Sequence, residues 1–131
     1  MKHYTKQTID YLQSVQANKR MQSRLASEVK RLEPIASSPA CTKGQRKRLT
    51  ECMGKLTRAS EDYINAYTTI IDQINSMDGT VMDREILTMR YIDGLSFAQI
   101  ADRLRVDKNY VYNGHYKAIN MFYKKFLNSE N

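Results

Sequence analysis

The stretch DREILTMRYIDGLSFAQIADRLRVDKNYV, residues 83–111, decides the fold class because helix starts and helix ends follow one another closely in it. Thr80 and Asp83 have the spacing of an N-terminal cap for a helix over about residues 81–92. Gly94 ends that helix, since Gly adopts at little steric cost the left-handed conformation that closes many helices. The stretch therefore begins with one short, well-delimited helix.

Two further helices follow in the same stretch. Ser96 and Gln99 form a capping-box pair, which predicts a helix over Phe97–Leu104. After a turn, Asp107 is suited to cap a last helix from 108 to about 126. A short helix, a tight turn and a longer second helix are the layout of a helix-turn-helix motif, which places its second helix in the major groove of DNA.

The apolar residues fit this layout. Their spacing of three and four turns one stripe of each helix toward a shared interior, and Ala101 supplies the small side chain that a helix crossing needs. Arg105 stands where such turns commonly carry Gly. The turn therefore either holds a non-Gly residue at positive φ, at a cost of about 1 kcal/mol, or takes another geometry. The predicted inward residues are Ile100, Ala101, Leu104, Val106, Val111, Gly114, Ala118 and Phe122.

These residues together resemble sigma-70 region 4, over about residues 80–126. The resemblance rests on Leu-x-x-Arg-Tyr, a Gly break, a Ser that opens a helix with Ile-Ala-x-x-Leu, and two later valines. It implies double-stranded DNA as a partner and permits RNA polymerase as another. The matching residues are Leu87, Arg90, Tyr91, Gly94, Ser96, Ile100, Ala101, Leu104, Val106, Val111, Ala118 and Ile119. In layout, the whole chain further resembles small phage and prophage transcriptional regulators of the ArpU and RinA type.

The resemblance implies that the first two turns of the last helix meet the bases. Asn can bind adenine through two hydrogen bonds, and Lys can donate to guanine. Carried over by position, the expected base-contacting residues are Lys108, Asn109, Tyr110, Tyr112 and Asn113. The expected phosphate-contacting residues are Arg84, Arg103, Arg105, Tyr116 and Lys117. Arg90 either joins them or pairs with Asp93 or Asp102 inside the domain.

Residues 1–78 are expected to form a helical hairpin arm, and residues 79–131 the helix-turn-helix domain. Apolar residues at three–four spacing predict long helices over about 4–32 and 43–77. Between these helices, Pro34 and Pro39 are expected to end the first, because Pro removes a backbone donor. The second begins with a capping box of Thr42 and Gln45.

The apolar stripes of the two long helices are wider than one hairpin seam. Some apolar surface should remain after the hairpin closes, which predicts a homo-oligomer, most simply a dimer. Polar Asn18, Gln22 and Ser60 on the seams mark either a loosely packed middle or a register signal in an oligomer. In the first helix, the apolar stripe is flanked by Ile9, Leu12 and Met21. In the second helix, Ile64 and Ile71 flank the expected seam, which is Leu49, Met53, Leu56, Ser60, Tyr63, Tyr67, Ile70, Ile74 and Met77.

Composition agrees with an all-α protein that meets a polyanion. The 131 residues carry a net charge of +7, and no stretch alternates apolar and polar residues over the length of a strand. The charge is uneven: residues 34–56 have five Lys and Arg against one acid, whereas residues 57–80 have one against four. Lys43, Arg46, Lys47 and Arg48 form either a solvated helix start or a surface that adds nonspecific DNA affinity.

Several functional classes lack any signal. No nucleophile motif, metal-ligand cluster or Gly-rich phosphate loop is visible, so we expect no enzyme, no catalytic residue, no metal and no cofactor. Cys41 and Cys52, eleven residues apart, suggest reduced thiols, and His115 is expected to be a half-buried packing residue. The polar N-terminus and the lack of a long apolar run indicate a cytoplasmic protein without a membrane partner.

Three functions remain open. The first is a sequence-specific transcriptional regulator. The second is a sigma-like adaptor that binds RNA polymerase or a phage protein with little DNA readout. The third is a DNA-packaging recognition subunit, which also combines a helix-turn-helix with helical oligomerisation elements.

Overall fold

The computed structural model describes residues 3–128, and over these residues it contains helices and no strand. The expected all-α class is confirmed. The five α-helices are α1 (His3–Ala36), α2 (Lys43–Ser76), α3 (Val81–Leu87), α4 (Phe97–Leu104) and α5 (Lys108–Phe122). Two π-helical turns, Thr88–Ile92 and Tyr123–Leu127, continue α3 and α5. No helix within residues 3–128 is long and apolar enough to cross a membrane.

All three expected capping boxes are present. At the start of α2 the backbone amide of Thr42 donates to Gln45 Oε1 at 2.8 Å, and Gln45 N donates back to Thr42 Oγ1 at 3.2 Å. The same reciprocal pairs start α3 and α4. Asp107 occupies the N-cap position of α5 with extended backbone, but its side chain makes no capping hydrogen bond, contrary to expectation. The start of α5 is held instead through the Asp107 carbonyl oxygen, which accepts from two later amides.

The expectation that Pro34 ends the first helix is wrong. α1 continues through Pro34 to Ala36, and the amide of Ser37 donates to the carbonyl oxygen of Glu33 at 3.1 Å. Proline fixes φ near the helical value and removes only one donor, the one that would bind the Lys30 carbonyl. Lys30 and Pro34 are both exposed, so that oxygen is open to solvent. The break falls instead at residues 37–42, which include Pro39.

Residues 17–66 form one compact unit, built from the second half of α1 and the first half of α2. The two helices run antiparallel there, because Glu28 faces Arg48 and Gln22 faces Ser60. Gln22 Nε2 donates to Ser60 Oγ at 3.2 Å, so these two polar seam residues satisfy each other within one chain. That pairing favours a partly polar middle of the hairpin over a register signal in an oligomer.

The other unit contains, among the described residues, 3–16 and 67–128. Its border lies inside the long helices, and the expected domain boundary at residues 78 and 79 stays a prediction. Leu12 was expected to stay at the hairpin surface, but it is fully buried, as is Phe122 of α5. Tyr11 of α1 packs against Phe122 with ring centroids 6.0 Å apart and the ring planes tilted by 40°. The first turns of α1 and the last turns of α2 therefore share a core with α5.

The seam of α2 differs from the expected one. Met53 and Tyr67 were placed on the seam but are 49% and 36% exposed. Cys52 and Ala59, which directly precede the expected seam residues Met53 and Ser60, are buried instead, and Ile70, Ile74 and Met77 are buried as expected. The physical reason is size, since small inward side chains let two helices approach closely while the larger Met and Tyr reach outward. The inward stripe of α2 therefore departs from the expected one only at some positions, as where Cys52 replaces Met53 and Ala59 replaces Ser60.

Candidate nucleic-acid interface

A small apolar core holds α3, α4 and α5 together and fixes the surface of α5. Ile86, Ile100, Ala101 and Val111 are its buried centre. Partly buried residues pack around them, among them Val106 of the turn. Every inward residue expected in α4 and the turn is buried or partly buried: Ile100, Ala101, Leu104 and Val106. The opposite side of α5 is therefore turned to solvent.

The turn between α4 and α5 takes the left-handed geometry. Arg105 has φ 57° and ψ 46°, and it is the one non-Gly residue with positive φ in the described part of the chain. The alternative of a turn without a left-handed residue is thus wrong. The amide of Val106 donates to the carbonyl oxygen of Ala101 at 3.0 Å, which closes the end of α4. The turn keeps its geometry although an Arg stands at the Gly position.

The approach of α5 to α3 depends on Gly114. A Cβ atom at Gly114 would lie 2.8 Å from Ile86 Cδ1, closer than real Cβ contacts. Ile86 is fully buried, and an added Cβ would force the end of its side chain to shift. Glycine therefore lets the second turn of α5 pack directly over α3.

A buried polar pair lies behind this surface. Tyr91, in the π-helical turn after α3, places its hydroxyl oxygen 2.6 Å from His115 Nε2. His115 is 2% exposed, so it is more deeply buried than expected, and its Nδ1 has no hydrogen-bond partner among the described residues. Burial, together with the Arg90 guanidinium, lowers the pKa of His115 to about 4, and the imidazole is therefore neutral at pH 7. Burial raises the pKa of Tyr91 above its ordinary value.

Four of the five expected base-contacting residues lie at the exposed start of α5. Lys108, Asn109 and Asn113 are exposed, and Tyr110 is 51% exposed. Asn109 and Asn113 stand four residues apart, one helical turn, and so point along the same face.

Tyr112 is the exception, because it is half-buried with its ring 4.7 Å from that of Phe97. Lys108 Nζ lies 5.6 Å from the Tyr112 ring centroid. Tyr112 thus packs on the domain and supports Lys108, and only part of its surface faces solvent.

The expected phosphate-contacting residues divide into two groups. Arg103 and Arg105 are exposed beside the turn, and Tyr116 is 46% exposed with its ring edge-on to His115. The other two make contacts inside the domain. Arg84 Nη1 donates to the carbonyl oxygen of Gly79 at 3.0 Å, and Lys117 Nζ lies 3.4 Å from buried Asp83 Oδ2.

Arg90 makes neither of the ion pairs considered for it. Its Nη1 donates to the carbonyl oxygen of Leu95 at 3.0 Å, and its guanidinium lies 4.3 Å from the Phe97 ring centroid. Pairing with Asp93 or Asp102 is therefore wrong. An Arg that stacks on an aromatic ring and binds a backbone oxygen ties the end of α3 to the start of α4. The local sequence does not predict this contact of Arg90, because it spans the break between the π-helical turn and α4.

Comparison with known proteins agrees with this geometry. Residues 82–119 match the family model described as Sigma-70, region 4. No curated protein matched the chain, and no solved structure matched it. The match begins in α3, spans α4 and the left-handed turn, and ends in α5. The C-terminal helices therefore form a sigma-70 region 4-like helix-turn-helix domain, a type of domain with a DNA-binding, transcription-related function.

Proposed function

We propose that the chain is a sequence-specific DNA-binding transcriptional regulator that acts in the cytoplasm and is encoded by a phage or prophage. The observation that carries the proposal is the exposed start of α5, where Asn109 and Asn113 share one face within the region that resembles sigma-70 region 4. Two amide side chains one turn apart suit adjacent bases in a major groove. The resemblance in layout to regulators of the ArpU and RinA type supports the phage origin.

The experiment has two steps. First, purified full-length protein captures fragmented genomic DNA, and we expect enrichment of a single promoter region. Second, Asn109→Ala and Asn113→Ala are compared with wild type on that site and on random duplex. Each lost bidentate contact should reduce discrimination by roughly 1–3 kcal/mol. Asn120→Ala, on the same helix but beyond its first two turns, is the matched control and should leave discrimination unchanged.

The outcomes separate the remaining functions. Enrichment of a DNA-packaging site instead of a promoter would favour the packaging subunit. Full discrimination in both Asn109→Ala and Asn113→Ala would remove these residues from base readout.

A protein–protein adaptor is the second candidate, and a specific observation favours it. Arg84 and Lys117 are engaged inside the domain, and Asp107 places a carboxylate at the start of α5, where it would repel nearby phosphates. Weak DNA readout combined with binding to RNA polymerase would fit that arrangement. Capture of polymerase by the immobilised full chain, together with no enriched DNA, would establish the adaptor in place of the regulator.

We further propose that the protein forms a homo-oligomer, most simply a dimer. Support comes from residues 17–66, where Met53 and Ile64, which lie outside the pockets of this unit, are 49% and 57% exposed. Exposed large apolar side chains on one compact unit are typical of an interface. Light scattering on the full chain at micromolar concentration should give twice the monomer mass. A monomer mass would contradict the proposal.

A further inference from the structure

The positive charge of the chain is concentrated away from the helix-turn-helix domain. Residues 17–66 contain eleven Lys and Arg against five Asp and Glu, a net charge of +6. The rest of the chain contains ten against nine, a net charge of +1. Because neutralised phosphates and released counterions supply most nonspecific affinity for DNA, the unit with the excess cations has the stronger attraction for a polyanion.

Several cationic side chains of the domain are already held in contacts inside it. Arg84 and Arg90 bind backbone oxygens, and Lys117 lies beside buried Asp83. Lys125 Nζ donates to the carbonyl oxygen of Ser76 at 2.6 Å. Half of the eight Lys and Arg in residues 81–131 are therefore engaged within their own unit.

In residues 17–66, five of the eleven cations line one groove between α1 and α2. Its deeper part has a volume of about 590 Å³ and is lined by Arg24, Arg31, Arg48 and Lys55. The groove continues along the same face, where Arg24 and Lys55 are joined by Arg58. Arg24 and Arg31, like Arg48 and Lys55, are seven residues apart, so each pair repeats on one face of its helix.

The carboxylates of the groove do not cancel these cations. Arg31 Nη2 lies 2.7 Å from Glu28 Oε2, and Arg48 Nη2 lies 3.6 Å from Glu28 Oε1, so one carboxylate meets two guanidinium groups. The hydrogen bond from Arg31 lowers the pKa of Glu28 below its ordinary value. Glu51 lies 3.9 Å from Lys47, and Asp62 lines only the continuation. Arg24, Lys55 and Arg58 form no ion pair within residues 3–128.

We propose that this cationic groove is a second DNA-binding surface, which holds the phosphate backbone of duplex DNA without reading its sequence. The choice of DNA among polyanions rests on the function proposed above. Four of the five cations are Arg, whose planar donor fork matches phosphate oxygens in a bidentate manner. The groove supplies affinity, and the start of α5 supplies specificity.

The test compares two triple variants of the full chain that change the charge equally. Arg24→Gln, Lys55→Gln and Arg58→Gln together remove the groove cations that have no carboxylate partner. Lys19→Gln, Lys30→Gln and Arg46→Gln together remove three exposed cations of the same unit that do not line the groove. Binding to a random-sequence duplex is measured by fluorescence anisotropy over a range of salt concentrations.

We expect the groove variant to reduce the log–log salt slope by about 2 to 3, since each phosphate contact contributes about 0.9. The matched control should reduce it by less than about 1. An equal reduction in both variants, or none in the groove variant, would overturn the proposal. Loss of binding to polyglutamate with unchanged DNA binding would also overturn it, because the groove would then fit an acidic polypeptide.

Two further measurements keep the result interpretable. Circular dichroism establishes that the variants are helical. The charge-conserving variant Arg24→Lys, Lys55→Arg and Arg58→Lys should retain the wild-type slope, which counts neutralised phosphates, although its affinity falls where Lys replaces a bidentate Arg. A reduced slope in that folded, charge-conserving variant would contradict an electrostatic role. A failure of the proposed base readout would give a different result from a failure of the groove proposal. In that case Asn109→Ala and Asn113→Ala would leave sequence discrimination unchanged, while the groove variant would still reduce the salt slope.

Discussion

The close approach of α5 to α3 gives the sharpest test of the structure, through Gly114→Ala. An added Cβ would lie 2.8 Å from Ile86 Cδ1, and Ile86 is fully buried. Overpacking of this kind costs about 1–3 kcal/mol. Replacing Gly by Ala inside a helix returns about 1 kcal/mol through helix propensity. The net expectation for Gly114→Ala alone is a loss of stability of up to about 2 kcal/mol.

Ile86→Val separates the two contributions because it deletes the Cδ1 atom that the new Cβ would meet. Alone, it should cost about 0.5–1.5 kcal/mol. In the Ile86→Val background, Gly114→Ala should stabilise the protein by up to about 1 kcal/mol, so the sign of its effect reverses. Urea unfolding followed by circular dichroism measures all four proteins of the cycle. Additive effects, with no coupling between the two positions, would refute the packing described here.

Substitutions at three other positions test the same domain. His115 has a pKa of about 4 in the folded protein, below its ordinary value of 6.5, so on acidification the unfolded chain takes up the proton first. The contribution of neutral His115 to the free energy of unfolding should therefore be fully present above about pH 6.5. It should fall by about 3 kcal/mol as the pH is lowered to 4. His115→Gln should flatten that dependence in unfolding experiments at pH 7 and pH 4.5, and an unchanged slope would contradict the assignment. Arg105→Gly should stabilise the turn by about 0.5–1 kcal/mol, because it relieves the left-handed strain but adds entropy to the unfolded chain, whereas Arg105→Ala should be nearly neutral. Ala101→Leu should lower the melting temperature and leave DNA binding by the folded protein unchanged, because overpacking the helix crossing costs about 1–3 kcal/mol. Loss of binding at an unchanged melting temperature would indicate that Ala101 contacts DNA directly.

The elements of the domain were predictable because their signals are local. Thr80 with Asp83 and Ser96 with Gln99 bond across three residues, so the sequence alone locates the starts of α3 and α4. The left-handed turn at Arg105 was one of two open alternatives, since its geometry depends on how α4 and α5 pack.

Long-range contacts were not predictable in the same way. Tyr91 and His115 are 24 residues apart, and their pairing requires both the π-helical turn and the packing of α5. The contact of Arg84 with the carbonyl oxygen of Gly79 was likewise not predicted, because that oxygen lies before the start of α3, and its expected phosphate contact stays a prediction. Cys52 took the inward position expected of Met53 because the distance between helices, which no single sequence stretch encodes, selects for size.

The first turns of α1 have a consequence for how this protein can be recombined with others. Gln16 Nε2 donates to the carbonyl oxygen of Ile92 at 2.7 Å and so closes the end of the π-helical turn. Leu12 and Val15 are fully buried in the same unit as α5. A chimera joined at residue 79 would lack the first turns of α1 and would expose the face of α5 that packs against them, although it would keep every residue of the family match. A graft that also carries residues 3–16 and 67–78 would transfer the hydrophobic core together with the domain. The unit that can be exchanged between proteins is therefore discontinuous in sequence.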